Sequence, residues 1–126
     1  MVKTLLAGLW LTAMLDGCAA EVERTATGLE PPQAGQQERV LRVRDAVTVT
    51  LATGYSRSIA ANSVWRYAGR TPQGEVYRPV DRVFTIEGAN THEAYLVMDN
   101  GWLVGFYLSG EAAFSPLPSA VRLNIE

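Results

Sequence analysis

Residues 93–108 read EAYLVMDNGWLVGFYL, two β-prone and largely apolar runs joined by Asn100-Gly101. Asn-Gly tolerates the positive φ that both central positions of a type I′ turn require, and that turn has the twist of the strands it joins. We therefore predict a β-hairpin with a two-residue loop, in which Asp99 faces Trp102. Each preceding residue of the first strand then faces the next residue of the second, so that Met98 faces Leu103 and Val97 faces Val104.

Both faces of this hairpin are apolar. In the predicted register, one face carries Tyr95, Val97, Val104, Phe106 and Leu108, and the other carries Ala94, Leu96, Met98, Leu103 and Tyr107. Because neither face suits water, we expect the hairpin in the middle of a sheet that is covered on both sides, or with a partner over its second face. Gly105 leaves Leu96 without a side chain opposite, which indicates a bulge, a bend or the close approach of another backbone.

The chain from Arg39 onward alternates in the manner of β-strands, with turn residues between the runs. We expect strands in residues 39–51 with a bend or break at 44–46, then in 63–70, 75–78, 81–87 and 120–126. Residues 55–62 are typical of a short helical turn or a loop, and residues 109–118 of a loop. The prediction is an all-β domain over residues 39–126, a small antiparallel barrel or sandwich of six to seven strands.

Length, charge and cysteine content limit the possible functions. The chain has 126 residues, which allows one small domain, and its net charge of −2 gives no electrostatic reason to expect nucleic acid as a partner. Its one cysteine, Cys18, excludes a disulfide within the chain. We predict no cofactor and no nucleic-acid partner.

The N-terminus has the features of a secretion signal. Lys3 supplies a positive charge, and residues 4–15 are apolar but shorter than the about 20 residues of a transmembrane helix. The sequence Leu15-Asp16-Gly17-Cys18 follows. It resembles the bacterial lipoprotein signal, in which a leucine and two small residues precede the cysteine. The resemblance implies that residues 1–17 are removed as a signal peptide and that Cys18 carries acyl chains, palmitate among them, on its sulfur and its new amine.

More than one acyl chain gives a stable lipid anchor. In a Gram-negative host, Ala19 rather than aspartate after the cysteine implies sorting to the outer membrane, with the domain on its periplasmic face. Asp16 departs from the lipoprotein pattern, where a small uncharged residue is usual, and slower processing or another cleavage site would follow. Cys18-Ala19-Ala20 also resembles an ordinary cleavage site, so a secreted soluble protein is an alternative, as is an uncleaved anchor.

Residues 18–38 are predicted to be a flexible linker between the lipidated Cys18 and the domain. They contain few large apolar residues, two adjacent prolines and scattered glutamates, a composition typical of disorder. Fully extended, such a tether would reach up to about 65 Å. The alternative is a segment that folds on a partner.

No motif of catalysis or metal binding is recognisable. His92 is the only histidine and stands beside Glu93, but adjacent residues of a strand point to opposite faces. No second histidine or free cysteine completes a zinc site, and no serine lies in a recognisable nucleophile context. We interpret His92 as a loop residue at a strand entrance and predict that the protein is not an enzyme.

Arginine and aromatic residues interleave between residues 55 and 82, and both are enriched at binding hot spots. The candidate binding surface consists of Trp65, Arg66, Tyr67, Arg70, Tyr77 and Arg78. The alternative is that Trp65 and Tyr67 belong to the core while the arginines only solvate the opposite face.

The function predicted from these features is that of a non-enzymatic, lipid-anchored protein whose β domain binds other envelope proteins. It would be an accessory or assembly component of an envelope complex such as a secretion or conjugation apparatus. The alternative is a periplasmic inhibitor or glycan-binding lipoprotein, similar in architecture to the small β-barrel lysozyme inhibitors but without their paired cysteines.

Overall fold

The computed structural model describes residues 20–126, so the predicted signal peptide 1–17 and Cys18 lie outside the described residues. Within that range the chain forms ten β-strands and one short 3-10 turn, Gln36–Glu38. The strands are β1 (Thr25–Ala26), β2 (Val40–Val43), β3 (Val47–Thr50), β4 (Ser56–Ile59), β5 (Ser63–Thr71), β6 (Gly74–Pro79), β7 (Thr85–Glu87), β8 (Thr91–Asp99), β9 (Trp102–Leu108) and β10 (Ala113–Arg122). The predicted all-β class is confirmed.

Most strands belong to one antiparallel sheet of order β1-β10-β9-β8-β6-β5-β2, in which β7 also pairs with the start of β8. The strands β3 and β4 form a separate hairpin, so the predicted break at residues 44–46 is confirmed. The chain that leaves β10 returns to the other edge of the sheet. There Arg42 and Glu126 exchange backbone hydrogen bonds of 3.4 and 3.1 Å, and the Arg44 amide donates to the Asn124 carbonyl at 2.8 Å. These hydrogen bonds join the two edges of the sheet, which we call the closed sheet.

The hairpin of β8 and β9 occupies the centre of this sheet, as its sequence predicts, with β6 on one side and β10 on the other. Asp99 pairs with Trp102 as expected. Met98 also pairs with Leu103 as predicted, but the register then shifts, and Val97 pairs with Gly105 rather than with Val104. The bulge that Gly105 indicates is therefore confirmed, and a side chain there would also overlap the Ser115 carbonyl oxygen on β10.

The bulge exchanges residues between the two faces of β9, because a one-residue slip turns every later side chain over. Phe106 and Leu108 join Ala94, Leu96, Met98 and Leu103 in the main core inside the closed sheet. Tyr107, predicted on that face, lies outside with Val76 and Val97 in a second buried cluster. Both faces of the hairpin are covered by the chain itself, so no partner is needed to bury either of them.

Four segments of the domain differ from the sequence prediction. Of the predicted strand 81–87 only Thr85–Glu87 is a strand, and the predicted strand 120–126 is only the end of β10, which stops at Arg122. Residues 55–62 contain the strand β4 rather than a helical turn or loop, and residues 109–118 contain the first half of β10. In β10, Pro116 pairs opposite Gly105 and the register is irregular between Pro116 and Val121. This irregular stretch contains Pro118, and proline cannot donate to a strand ladder. Pairing with β9 therefore overrides the local loop signal.

The predicted flexible linker is wrong for residues 20–31, which we call the N-terminal segment. Its strand β1 pairs with the free edge of β10. Glu30 and Arg70 exchange two backbone hydrogen bonds of 2.8 and 2.9 Å, and Val22 is only 5% exposed within the main core. The segment makes these hydrogen bonds with unpaired strand edges that are formed by distant parts of the chain. Its own composition does not reveal that such edges are there.

The N-terminal segment completes the outer cluster and approaches β5 closely. Leu29 packs against the cluster of Val76, Val97 and Tyr107. The Glu30 backbone lies against Gly69, whose φ of +134° marks a bulge between β5 and β6. Glycine is needed there for both reasons, since this φ is unfavourable for other residues and a β-carbon would overlap the Glu30 carbonyl oxygen.

The replacement Gly69→Ala should therefore destabilise the domain by about 1–3 kcal/mol, the range for forcing a strained backbone conformation. Chemical denaturation measures the free energy of unfolding. Gly110→Ala is the matched control, because a β-carbon at Gly110 meets nothing within 4 Å. Equal stability of the two variants would show that the N-terminal segment does not dock against Gly69.

Candidate functional site

The six residues of the predicted binding surface do not form one surface. Trp65 is 1% exposed and packs edge-on against Phe84, with ring centroids 5.2 Å apart. Its indole N–H donates to the Ser63 hydroxyl at 3.0 Å. The prediction that Trp65 lies on a binding surface is therefore wrong, because its strand face is the inner face of the closed sheet.

The remaining predicted residues separate by strand face. Arg66 and Arg78 pair opposite each other and lie on the outer face, where Arg66 is half-buried and Arg78 is exposed. Tyr67 and Tyr77 are also cross-strand neighbours but point inward, with buried rings whose centroids lie 5.6 Å apart. Arg70 lies further along β5, beyond the Gly69 bulge, and its side chain reaches solvent.

One end of the closed sheet holds an ion-pair cluster centred on Glu75, which we call the arginine cluster (Arg39, Arg70 and Glu75). One Glu75 oxygen accepts from the Arg39 guanidinium at 3.0 Å, and the other accepts from that of Arg70 at 3.1 Å. The Arg39 and Arg70 side chains remain 41% and 55% exposed. Each guanidinium has five N–H donors, so both retain donors for a further ligand.

Two tyrosines contact the Arg39 guanidinium. Its guanidinium donates to the Tyr77 hydroxyl at 2.9 Å and its central carbon lies 4.3 Å from the centroid of the Tyr67 ring. The latter is cation–π geometry. Burial alone would lower the pKa of Arg39, but the hydrogen bond to Glu75 and the neighbouring Tyr77 raise it, and the net shift is upward. The Arg39 charge is thus held permanently beside the two rings.

Burial also raises the pKa of the Tyr77 hydroxyl above its ordinary value, because the charged phenolate loses solvation in this position. The positive charge of Arg39 acts in the opposite direction and is the smaller influence. Tyr77 therefore stays protonated at neutral pH and contributes a neutral hydroxyl to the cluster.

Two clefts adjoin the arginine cluster, and Arg70 and Glu75 form the ridge between them. One, of about 260 Å³, lies towards the β8–β9 turn and is bordered by Tyr77 and Asp99. The other, of about 360 Å³, lies towards the N-terminal segment and is bordered by Glu30 and Gln33. Both are polar and carry charges of either sign, a lining suited to polar or charged groups.

His92 lies in the strand β8 rather than in the preceding loop, and it is 5% exposed, so its interpretation as a loop residue is wrong. Its Nδ1 lies 2.8 Å from a carboxylate oxygen of Glu111, and its Nε2 has no hydrogen-bond partner among residues 20–126. The nearby Ser109 hydroxyl donates to Glu93 at 3.1 Å. The histidine and the serine are thus each paired with a different carboxylate.

Sequence reasoning missed Arg39 and Glu75 as parts of a site. A signal for Glu75 was present, because a two-residue turn at Pro72-Gln73 places it directly opposite Arg70, as observed. Opposite charges that face each other across strands attract. Arg39 carried no such signal, since it is brought to Glu75 only by the pairing of β2 with β5.

No group of three or more histidine, cysteine or acidic side chains is placed to hold a metal ion within residues 20–126. The same part of the chain contains no helix long and apolar enough to cross a membrane. No family model matches the chain, and no curated protein or solved structure is significantly similar to it.

The raised pKa of Tyr77 predicts a pH dependence of stability. Above pH 10, the ordinary pKa of tyrosine, the unfolded chain releases this phenolic proton while the folded chain retains it. The free energy of unfolding should therefore fall as pH rises above 10. Tyr77→Phe should make this fall shallower, which urea denaturation on both sides of pH 10 measures. Identical alkaline profiles for the variant and the native protein would contradict the prediction.

Proposed function

We propose that this protein is a non-enzymatic, lipid-anchored protein of the bacterial outer membrane whose β domain, on the periplasmic face, binds another envelope protein. It serves as an accessory or assembly component of an envelope complex such as a secretion or conjugation apparatus. The observation that carries the proposal is Glu75, which pairs with the guanidinium groups of both Arg39 and Arg70 beside two clefts.

The arginine cluster has the properties that favour a binding hot spot. Arginine and tyrosine are the residue types most enriched there, together with tryptophan. The contacts of Arg39 with Glu75, Tyr67 and Tyr77 hold its side chain in one position before any partner arrives. Such pre-organisation reduces the conformational entropy lost on binding.

The surroundings of His92 support a structural rather than a catalytic role. Its ring lies inside the domain against Glu111, and the neighbouring Ser109 hydroxyl is directed to Glu93 instead. A nucleophilic serine needs its hydroxyl within hydrogen-bond reach of the base. The anchor itself is proposed from the likeness of Leu15-Asp16-Gly17-Cys18 to a lipoprotein signal.

Crosslinking of the intact protein in its host, followed by identification of the crosslinked proteins, tests the proposal. We expect a reproducible envelope partner that Arg70→Ala loses and Arg78→Ala retains. With the purified partner, Arg70→Ala should weaken binding by about 2 kcal/mol, roughly 30-fold, which is typical of a hot spot. Arg78 is the matched control, because it is exposed on the outer face and lines neither cleft.

Three results would overturn this function. They are the absence of any reproducible partner, a loss of binding in Arg78→Ala but not in Arg70→Ala, and inhibition of lysozyme by the purified protein. The last result would favour the inhibitor function that the sequence leaves as an alternative.

Glu75→Gln tests the pre-organisation separately. The amide keeps the shape of the carboxylate but removes the charge that attracts both arginines, so partner binding should weaken while both guanidinium groups remain present. Because the pairs are partly exposed, each contributes about 0–1 kcal/mol to stability, and the free energy of unfolding should change by no more than about that amount per pair. Binding equal to that of the native protein would show that Glu75 does not organise the surface.

A further inference from the structure

The start of the N-terminal segment is attached to the domain by its first described residue. The Ala20 carbonyl accepts a hydrogen bond from the Ala89 amide at 2.9 Å. Asn90 donates to the Glu21 carboxylate at 3.2 Å. Gly88 lies so close that a β-carbon there would come within 2.8 Å of the Ala20 carbonyl oxygen. The loop between β7 and β8 therefore holds the chain in place from residue 20 onward.

This attachment leaves a very short spacer to the lipid proposed at Cys18. Only Ala19 separates Cys18 from Ala20, and two residues of extended chain span at most about 7 Å. A tether of residues 18–38 would reach about 65 Å at full extension. The domain cannot move further from its anchor than the short spacer allows, unless the N-terminal segment detaches.

We infer that the domain rests directly on the lipid surface, with the β7–β8 loop (residues 88–90) against the headgroups and the arginine cluster directed away from the bilayer. This inference rests on the proposed lipid anchor at Cys18. It assigns a membrane-facing surface to one end of the closed sheet and leaves the opposite end for the protein partner.

The strand β8 connects the two ends and sets the distance between them. It begins at Thr91, which pairs with Glu87 beside the attached loop, and near its other end Met98 pairs with Glu75. The seven steps from Thr91 to Met98 span about 23 Å along the strand at about 3.3 Å per residue. A strand tilt of 35–45°, usual in closed sheets, reduces the height to about 15–20 Å. The arginine cluster would therefore meet its partner well clear of the headgroups.

The membrane-facing end carries a side chain suited to that position. The Thr53 hydroxyl donates to the Glu87 carbonyl at 3.3 Å, which brings the β3–β4 turn to this end. Tyr55 follows in that turn, is 43% exposed and borders the same cleft as Glu87. Tyrosine favours the boundary between water and lipid. Glu21 is offset by Arg24, whose guanidinium lies 3.8 Å from its carboxylate. Glu87 shares its cleft with Arg57. A surface with charges of both signs suits zwitterionic headgroups.

Single cysteines introduced at the two ends test the orientation. Ala89→Cys places a thiol on the attached loop, and Asp99→Cys places one at the far end of β8, both at exposed positions. Acylation of Cys18 blocks the native thiol, so each full-length variant takes one fluorophore. The labelled, lipidated proteins are reconstituted into phosphatidylcholine vesicles that contain phosphatidylcholine with a nitroxide on its headgroup.

Quenching by the nitroxide should be several-fold stronger at position 89 than at position 99. A flexible glycine-serine spacer of about 15 residues inserted between Ala19 and Ala20 should remove most of that difference, since such a chain spans about 20 Å on average. Equal quenching at the two positions without the spacer, or stronger quenching at position 99, would overturn the inference.

The same preparations separate this inference from the anchor on which it rests. The mass of the purified protein reports acylation, and Cys18→Ala should release the protein from the membrane fraction. Loss of acyl chains in the native protein would remove both the anchor and the inference. Acylated, membrane-bound protein with equal quenching at both positions would leave the anchor in place and reject only the orientation.

Discussion

The β8–β9 hairpin is apolar on both faces, and the rest of the fold follows from the need to cover both. One face is buried inside the closed sheet, where Leu96 and Phe106 are almost fully enclosed. Each such side chain contributes about 1.5–3 kcal/mol when it leaves water. The other face is covered from outside by Phe114 on β10 and by Leu29 of the N-terminal segment. A domain this small has few other elements, so the N-terminal segment packs over this face despite its polar composition.

That recruitment links the stability of the domain to its candidate site. The N-terminal segment pairs through Glu30 with Arg70, directly after Gly69 with its positive φ. The same backbone contact thus fixes the position of one arginine of the cluster, while the pairing of β2 with β5 delivers the other, Arg39. The Glu75 carboxylate lies between the two guanidinium groups and pairs with both, so the three side chains form one ordered surface. The site is a product of three chain segments that are distant in sequence.

The docked segment also changes how the protein relates to the membrane under our proposal. A long tether would make the orientation of the domain arbitrary, whereas attachment at Ala20 makes orientation a property of the fold. The two ends of β8 then acquire different environments, one towards lipid and one towards a partner. Tyr55 and the balanced charges at the first end, and the arginine cluster at the second, are consistent with that division.

Local patterns were sufficient to predict the all-β class, the central hairpin with its Asn100-Gly101 turn, and the bulge at Gly105, because each depends on side chains and backbone angles within a few residues. The opposition of Arg70 and Glu75 across a short turn was predictable for the same reason. The register beyond the bulge, the strand in residues 113–122 and the docking of the N-terminal segment depended on which strand edges were left unpaired by distant parts of the chain. Hydrogen bonds to such edges are made by the backbone, which is the same for every residue type, so only the tertiary structure decided them.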